Sequence, residues 1–246
     1  MNKPVKIVIL SIAAAVMLQG CATTNLAGTP DELYSNGEQS FKKGNYTDAV
    51  AQWKKVKESY KSPELTTRAE LGIADAYFLN KDYIEAAAAY EDFRKLHPVH
   101  EQAAYALYRQ ALSNYNQING IDTDQTPVRN AVTTFEAYLK NYPGGQYTAE
   151  VKEKIADCRD KQLQYEIYVG RFYLNIEKLP AAIARFEGAV KTYSDMPRCD
   201  EALYYLGLAY KSAEQTAKAR EALERLTKEY PSSLFVEKAN KVLGKL

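Results

Sequence analysis

One layout recurs five times along this chain: an amphipathic helix, a short polar turn, then a second amphipathic helix. Four copies occupy residues 33–56, 70–93, 165–190 and 203–226. The third is less regular, beginning at Ala106 and resuming at Arg129 after an insert. A small residue marks each first helix except the third, at Gly37, Ala74, Gly170 and Gly207. An alanine marks each second helix, at Ala49, Ala86, Ala131, Ala182 and Ala219. Four positions later stands a large residue: Trp53, Tyr90, Phe135, Phe186 and Leu223. Small residues let paired helices approach, and the large ones fill the space beside them. One such pair cannot bury its apolar stripe alone, so neighbours must stack to complete each other's core.

The second-helix alanines are 37, 45, 51 and 37 residues apart. That spacing resembles a tetratricopeptide repeat (TPR) with insertions around the third unit. The fold expected is all-α: a TPR-like superhelical solenoid of about five helix-turn-helix repeats plus a C-terminal capping helix. Prolines punctuate the second helices at His97-Pro98, Tyr142-Pro143 and Tyr230-Pro231, while the fourth unit has Tyr193-Ser194 and a delayed Pro197. Residues 116–126 read as a surface loop. Residues 146–176 read as one long helix or two nearly collinear ones. Ser232 and Ser233 offer an N-cap to the last helix. Most of the 20 tyrosines fall on helices at repeat-defining places, among them Tyr77, Tyr83, Tyr90, Tyr173 and Tyr210.

Ahead of the repeats, Lys3 and Lys6 precede an apolar run from Ile7 to Leu18, too short to span a bilayer and matching a signal peptide. It ends in Leu18-Gln19-Gly20-Cys21, which resembles the bacterial lipoprotein signal. Residues 1–20 are therefore read as a lipoprotein signal peptide, and residues 21–30 as an acylated Cys21 with a flexible tether. Stable anchoring needs more than one acyl chain, which a multiply acylated cysteine supplies. Ala22 stands where an inner-membrane retention mark would have Asp, which favours the outer membrane, lipid-anchored and facing the periplasm. Residues 31–145 hold units one to three, and residues 146–246 hold units four and five with the capping helix. There Cys158 and Cys199 are open between a disulfide and two buried small hydrophobes.

Chemistry is scarce. The net charge is +1, from 32 basic and 31 acidic residues, which gives no basic field for nucleic acid. His97 and His100 flank Pro98 with no nearby cysteine to complete a metal-ligand set. Gly144-Gly145 lacks the Lys-Ser/Thr of a phosphate loop. Ser40, Ser113 and Ser212 have no base-and-acid context, and the carboxylates are spread over outer helix faces. No catalytic residue, metal or cofactor is expected.

Binding is expected on the side lined by first helices. Counting from Gly37 and Ala74 places Tyr34, Glu38 and Phe41 there, then Arg68, Leu71, Asp75 and Phe78, with Tyr105 and Tyr108 following in unit three. Aromatic rings with charges between them suit an extended peptide; the alternative is that Phe41 and Phe78 only pack on a neighbouring helix pair. Charge reversal at Arg68 or Asp75 should alter such binding without unfolding the chain.

The sequence also resembles a particular family, the BamD (ComL-like) outer membrane β-barrel assembly lipoproteins. The shared features begin with Pro30-Asp31-Glu32-Leu33-Tyr34, Gly44-Asn45-Tyr46, Ala49, and Tyr83 with Ala86. They continue through Phe93, His97-Pro98, Ala103 to Tyr108, Ala131 to Phe135, Tyr142-Pro143 and Tyr147. Glu166, Gly170, Phe172-Tyr173 and Ala181 to Phe186 resemble the family's fourth unit; Glu201-Ala202-Leu203 and Leu206 to Tyr210 resemble its fifth. Departures are Tyr193-Ser194, the glycine-free turn from Asn175 to Leu179, and Cys199. The resemblance implies a non-enzymatic scaffold. Its N-terminal repeats would receive the C-terminal targeting strand of unfolded outer membrane proteins, with Tyr34, Phe41 and Phe78 as contacts. Its helices over 165–226 would dock a BamA-like barrel subunit and accessory lipoproteins of the complex, with Arg171, Tyr204 and Lys211 as docking residues. Rival readings are a periplasmic TPR lipoprotein for secretin or pilus assembly, or one that couples envelope constriction to wall synthesis.

Overall fold

A computed structural model of the chain describes residues 27–59 and 61–246. Cys21, the signal segment and most of the tether lie outside the described residues. Among the described residues the fold is all-α, with eleven helices and TPR-like pairing as expected. In chain order they are α1 (Pro30–Lys42), α2 (Tyr46–Ser59), α3 (Pro63–Leu79), α4 (Tyr83–Leu96), α5 (Ala103–Asn116), α6 (Thr126–Asn141), α7 (Thr148–Asn175), α8 (Leu179–Thr192), α9 (Cys199–Ser212), α10 (Thr216–Glu229) and α11 (Val236–Leu243). Two compact units divide between Ala69 and Glu70, inside α3. The boundary read at residues 145 and 146 falls in the turn between α6 and α7, within the second unit.

The first unit is built on the α1–α2 hairpin. Thr29 caps α1: its hydroxyl accepts from the Glu32 N–H at 3.3 Å, and the Glu32 carboxylate accepts from the Thr29 N–H at 2.8 Å. This capping box, with Pro30 in the first turn, fixes where the helix starts. Gly37 lies directly under the Trp53 indole, so any side chain there would collide with the ring. Trp53 is 3% exposed and donates its Nε1–H to the Tyr34 carbonyl at 3.2 Å.

The second unit repeats that arrangement. Ala74 and Tyr90 share the α3–α4 core. Gly170 lies under Phe186, and Gly207 under Leu223. In each of these four hairpins the large residue follows its small partner by sixteen positions. Seven positions after the small residue the hairpin turns. Gly44, Lys81, Glu177 and Glu214 all take left-handed φ, at 79°, 67°, 57° and 58°. The next residue's N–H, at Asn45, Asp82, Lys178 and Gln215, reaches five residues back to a carbonyl of the preceding helix at 2.9 Å in each case. That is a Schellman closure, and it satisfies carbonyls left open at the helix end. The glycine absent from Asn175–Leu179 is therefore replaced by Glu177 in the conformation glycine would favour.

Between hairpins a second turn recurs. Carbonyls of His97, Tyr142, Tyr193 and Tyr230 each accept from the N–H three residues on, at 3.0–3.2 Å. Proline holds the second position of three of these turns, a position it favours. Ser194 holds it in the fourth, so the missing Tyr-Pro leaves the turn intact. That turn is pinned instead by Arg159, which donates two 2.7 Å bonds to Asp195. The third hairpin carries its insert between Asn116 and Thr126, as expected.

Residues 148–175 form one helix of 28 residues. Its N-terminal half packs on α6 through Val151 and Cys158. Its C-terminal half begins the next hairpin with α8, through Leu163 and Ile167. The serine cap is corrected: Ser233 Oγ accepts from the Phe235 N–H at 3.0 Å in the turn before α11, and Phe235 itself occupies the cap position. Ala239 is the buried contact of α11.

Two stability outcomes follow. Gly170→Ala places a methyl 2.6 Å from the Phe186 ring. Overpacking costs about 1–3 kcal/mol, against a helix-propensity gain of about 1 kcal/mol. The variant should melt at lower temperature, and Phe186→Leu added to it should recover part of the loss. Glu177→Gly should act oppositely, because relief of about 1–2 kcal/mol of left-handed strain exceeds the ~0.5–1 kcal/mol entropic cost of glycine. Thermal denaturation reads both.

Candidate functional site

Three helices of the second unit converge on one polar and aromatic cluster. Asp75 and Phe78 lie one turn apart on α3; Tyr105 and Arg109 lie one turn apart on α5. Tyr90 comes from α4, where it is also the bulky partner of Ala74. Asp75 Oδ1 accepts from the Tyr90 hydroxyl at 2.5 Å and from the Tyr105 hydroxyl at 2.7 Å. Arg109 donates its Nε–H to the Tyr90 oxygen at 3.2 Å. Its guanidinium carbon lies 3.6 Å from the Phe78 ring centroid and 5.6 Å from that of Tyr105, so cation–π attraction holds it over the Phe78 face. Phe78 in turn meets Tyr83 edge-on at 5.5 Å.

Burial raises the Asp75 pKa above its ordinary 3.8, while bonds from the two phenols and the Arg109 charge oppose that rise. Burial, then the Asp75 charge, pushes both phenols far up. They stay protonated donors, and the cluster acts as a fixed set of dipoles and one cation. Burial also works against the Arg109 charge, but Tyr90, Tyr105 and Asp75 outweigh it and raise its pKa.

The first unit has its own smaller version. Arg68 sits 4.5 Å over the Tyr34 ring and 3.7 Å from Glu38. Phe41 packs against Trp53 at 5.6 Å and edge-on to Tyr46 at 5.4 Å. Phe41 and Phe78 thus occupy equivalent places, each closing its hairpin against the first tyrosine of the second helix. Both remain partly exposed.

Other expected lining residues are placed differently. Leu71 packs against the Ala74–Tyr90 core. Tyr108 is 7% exposed and stacks face to face on Tyr147 at 3.9 Å, so its ring is core and leaves the candidate lining. Asp75 is no free surface charge: both phenols depend on it, so its charge reversal would disrupt packing as well as binding. Arg171 lies 4.9 Å over the Tyr205 ring and 3.7 Å from Glu201. Tyr204 packs on Phe235 at 5.1 Å, and Lys211 stands half-exposed in the last turn of α9.

Two groups escaped the sequence reading. Tyr168 and Phe172 on α7 and Ile176 at its C-cap expose 47%, 55% and 47%, at a spacing of four that was visible in the sequence. Arg109 was also passed over, although it follows Tyr105 by four positions. Cys158 and Cys199 are separate, buried thiols, and burial pushes Cys158 up to about 12. They are small hydrophobes of two cores. Among the described residues no group of ligating side chains could hold a metal, and no helix is long and apolar enough to cross a membrane.

Comparison with known proteins gives consistent matches. The family model described as YfiO, outer membrane lipoprotein, matches residues 26–224. An outer membrane protein assembly factor BamD of Rickettsia prowazekii is 29% identical, covering 98% of each chain. Its Neisseria gonorrhoeae counterpart is 26% identical, covering 95% of each. A solved TPR repeats protein of Bacteroides fragilis aligns at 14% identity, covering 89% of this chain and 99% of that one, with a TM-score of 0.47.

Asp75 also gives the cluster a pH signature. Its folded-state pKa is raised, so folding favours the protonated form; its contribution is greatest at low pH and is lost as pH rises through the raised value. Asp75→Asn keeps an oxygen acceptor for the phenols and removes the charge. The stability of Asp75→Asn relative to wild type should therefore increase as pH rises from ~3.5 to ~6, measured by denaturant unfolding across that range. A parallel pH dependence in the two proteins would contradict it.

Proposed function

The chain belongs to the YfiO family of outer membrane lipoproteins, and from that premise we propose that it is a scaffold of outer membrane protein assembly that makes and breaks no bonds. The relatives' shared name, outer membrane protein assembly factor, supports the assembly role. The observation that carries the binding half of this reading is the cluster of Asp75, Phe78, Tyr90, Tyr105 and Arg109. It offers aromatic area and one cation with every phenol already oriented, which suits an extended segment of an unfolded client. Ordering these side chains before binding lowers the entropic cost of capture.

The docking half is assigned to α7–α10. Tyr168, Phe172 and Ile176 form an exposed apolar stripe beside Arg171, with Tyr204 and Lys211 on α9. A BamA-like barrel subunit is the partner we assign to it, with accessory lipoproteins beside it. Cys21 is assigned as the acylated anchor holding the chain to the outer membrane, facing the periplasm. Captured clients would pass from the polar face to the barrel subunit for insertion.

Affinity isolation of the tagged full chain from solubilised outer membranes tests this reading. The barrel subunit should be recovered with it, and Phe172→Glu, a surface change that leaves the cores untouched, should reduce recovery several-fold. Cys21→Ala should move the chain out of the membrane fraction. Recovery of a secretin or pilus subunit in place of the barrel subunit would overturn the assignment.

A further inference from the structure

We infer that Arg109 is a carboxylate receptor: its guanidinium, clamped on Phe78 and steadied by Tyr90, presents its two terminal nitrogens to an anionic group of the bound peptide. The inference rests on the peptide-binding reading and names the chemistry that reading leaves open.

Arg109 uses only Nε within the protein. Among the described residues its Nη1 and Nη2 have no hydrogen-bond partner, and no carboxylate lies within ion-pair distance of it. The nearest acid of the cluster, Asp75, commits Oδ1 to two phenols. Other arginines of the chain show what the free edge is suited to. Arg159 grips Asp195 through both terminal nitrogens at 2.7 Å, Arg198 holds Asp160 through Nε and Nη2 at 2.9 and 3.3 Å, and Arg185 reaches both oxygens of Glu166 from Nη1 alone. A planar guanidinium matches a planar carboxylate through two parallel bonds. Arg109 has the fork, an aromatic ring beneath it and an Nε–H bond to the Tyr90 oxygen that fixes its orientation, but no anion.

The charge of the cluster selects the kind of anion. Arg109 and Asp75 cancel, so one added monoanion is balanced by a cation it touches directly. A phosphate dianion would face a single cation with an acid behind it, and would leave a surplus of negative charge in a half-buried place. Aromatic surface from Phe78 and Tyr105 adjoins the guanidinium, with Tyr83 edge-on to Phe78, so the residue bearing or neighbouring the carboxylate should itself be apolar. Two sources carry this chemistry, a free chain end and an acidic side chain.

Fluorescence anisotropy on the wild-type full chain, purified in detergent, separates them. The probe is an N-terminally labelled peptide copied from the C-terminal strand of an outer membrane protein, made as the free acid, as the C-terminal amide, and as the free acid with each Asp and Glu replaced by Asn and Gln. One neutralised form should bind about tenfold or more weakly, and which one it is identifies the source. Arg109→Gln should bind charged and neutral peptides alike; Arg109→Lys, which keeps charge without the fork, should fall between. Melting curves of both variants check that the hairpins persist, and Arg109→Lys serves alone if Arg109→Gln unfolds. Equal binding of all three peptides to wild type would overturn the inference and leave the peptide-binding face standing. Binding of none would remove that face, and the inference with it. Displacement of the free acid by inorganic phosphate at lower concentration than by acetate, at matched ionic strength, would overturn the carboxylate assignment.

Discussion

The contact on which the rest depends is a small residue of a first helix seated beneath a large residue of its partner. Gly37 under Trp53, Gly170 under Phe186 and Gly207 under Leu223 leave no room for even a methyl group, and Ala74 with Tyr90 is the same contact with one methyl allowed. Close approach of the axes lets two short helices bury a common core, which neither could stabilise alone in water. It also fixes rotation. Once the small residue faces inward, residues one position away on either side of the seam are pushed to the flanks of the first helix. There they meet the first helix of the next hairpin.

That geometry explains why aromatic and charged residues gather between neighbouring first helices of the second unit. Arg109 on α5 lies over Phe78 on α3; Lys154 on α7 lies 4.4 Å over Tyr115 on α5; Arg171 on α7 lies over Tyr205 on α9. Cation–aromatic pairs serve as side-by-side contacts where the helices need no oil-like seam. One of them differs. In the α3–α4 hairpin the large core residue is a tyrosine, so the packing contact carries a hydroxyl that reaches Asp75 on one side and Arg109 on the other. Phe186 and Leu223 in the same role carry no polar atom. A packing position has thereby become part of a polar face, and the distinction is a single oxygen.

The helices were legible because the apolar period and small-residue marks are local and repeated. The Schellman turns were legible at Gly44, but not at Lys81, Glu177 or Glu214, because hydrogen bonding across the turn holds residues there that intrinsic preference disfavours. Ser194 shows the converse: a turn read from proline survives without it because Asp195 is tied to Arg159. Side-chain roles were less legible. Asp75 looked like a lining charge and Tyr108 like a lining ring, yet one is consumed by two phenols from α4 and α5 and the other by Tyr147. Those partners lie 15 to 39 residues away in sequence, and periodicity along one helix carries no record of them. The exposed spacing of Tyr168, Phe172 and Ile176 was written in the sequence, but periodicity alone does not tell an exposed apolar row from a buried one.

Hydrogen exchange of the full chain with and without a saturating client peptide addresses the central claim, that preformed hairpins capture a client on the α3–α5 face without refolding. Exchange should slow over residues 70–82 and 103–116 and remain unchanged over 165–226. Slowing confined to 165–226, or a loss of protection in the hairpin cores on binding, would contradict it.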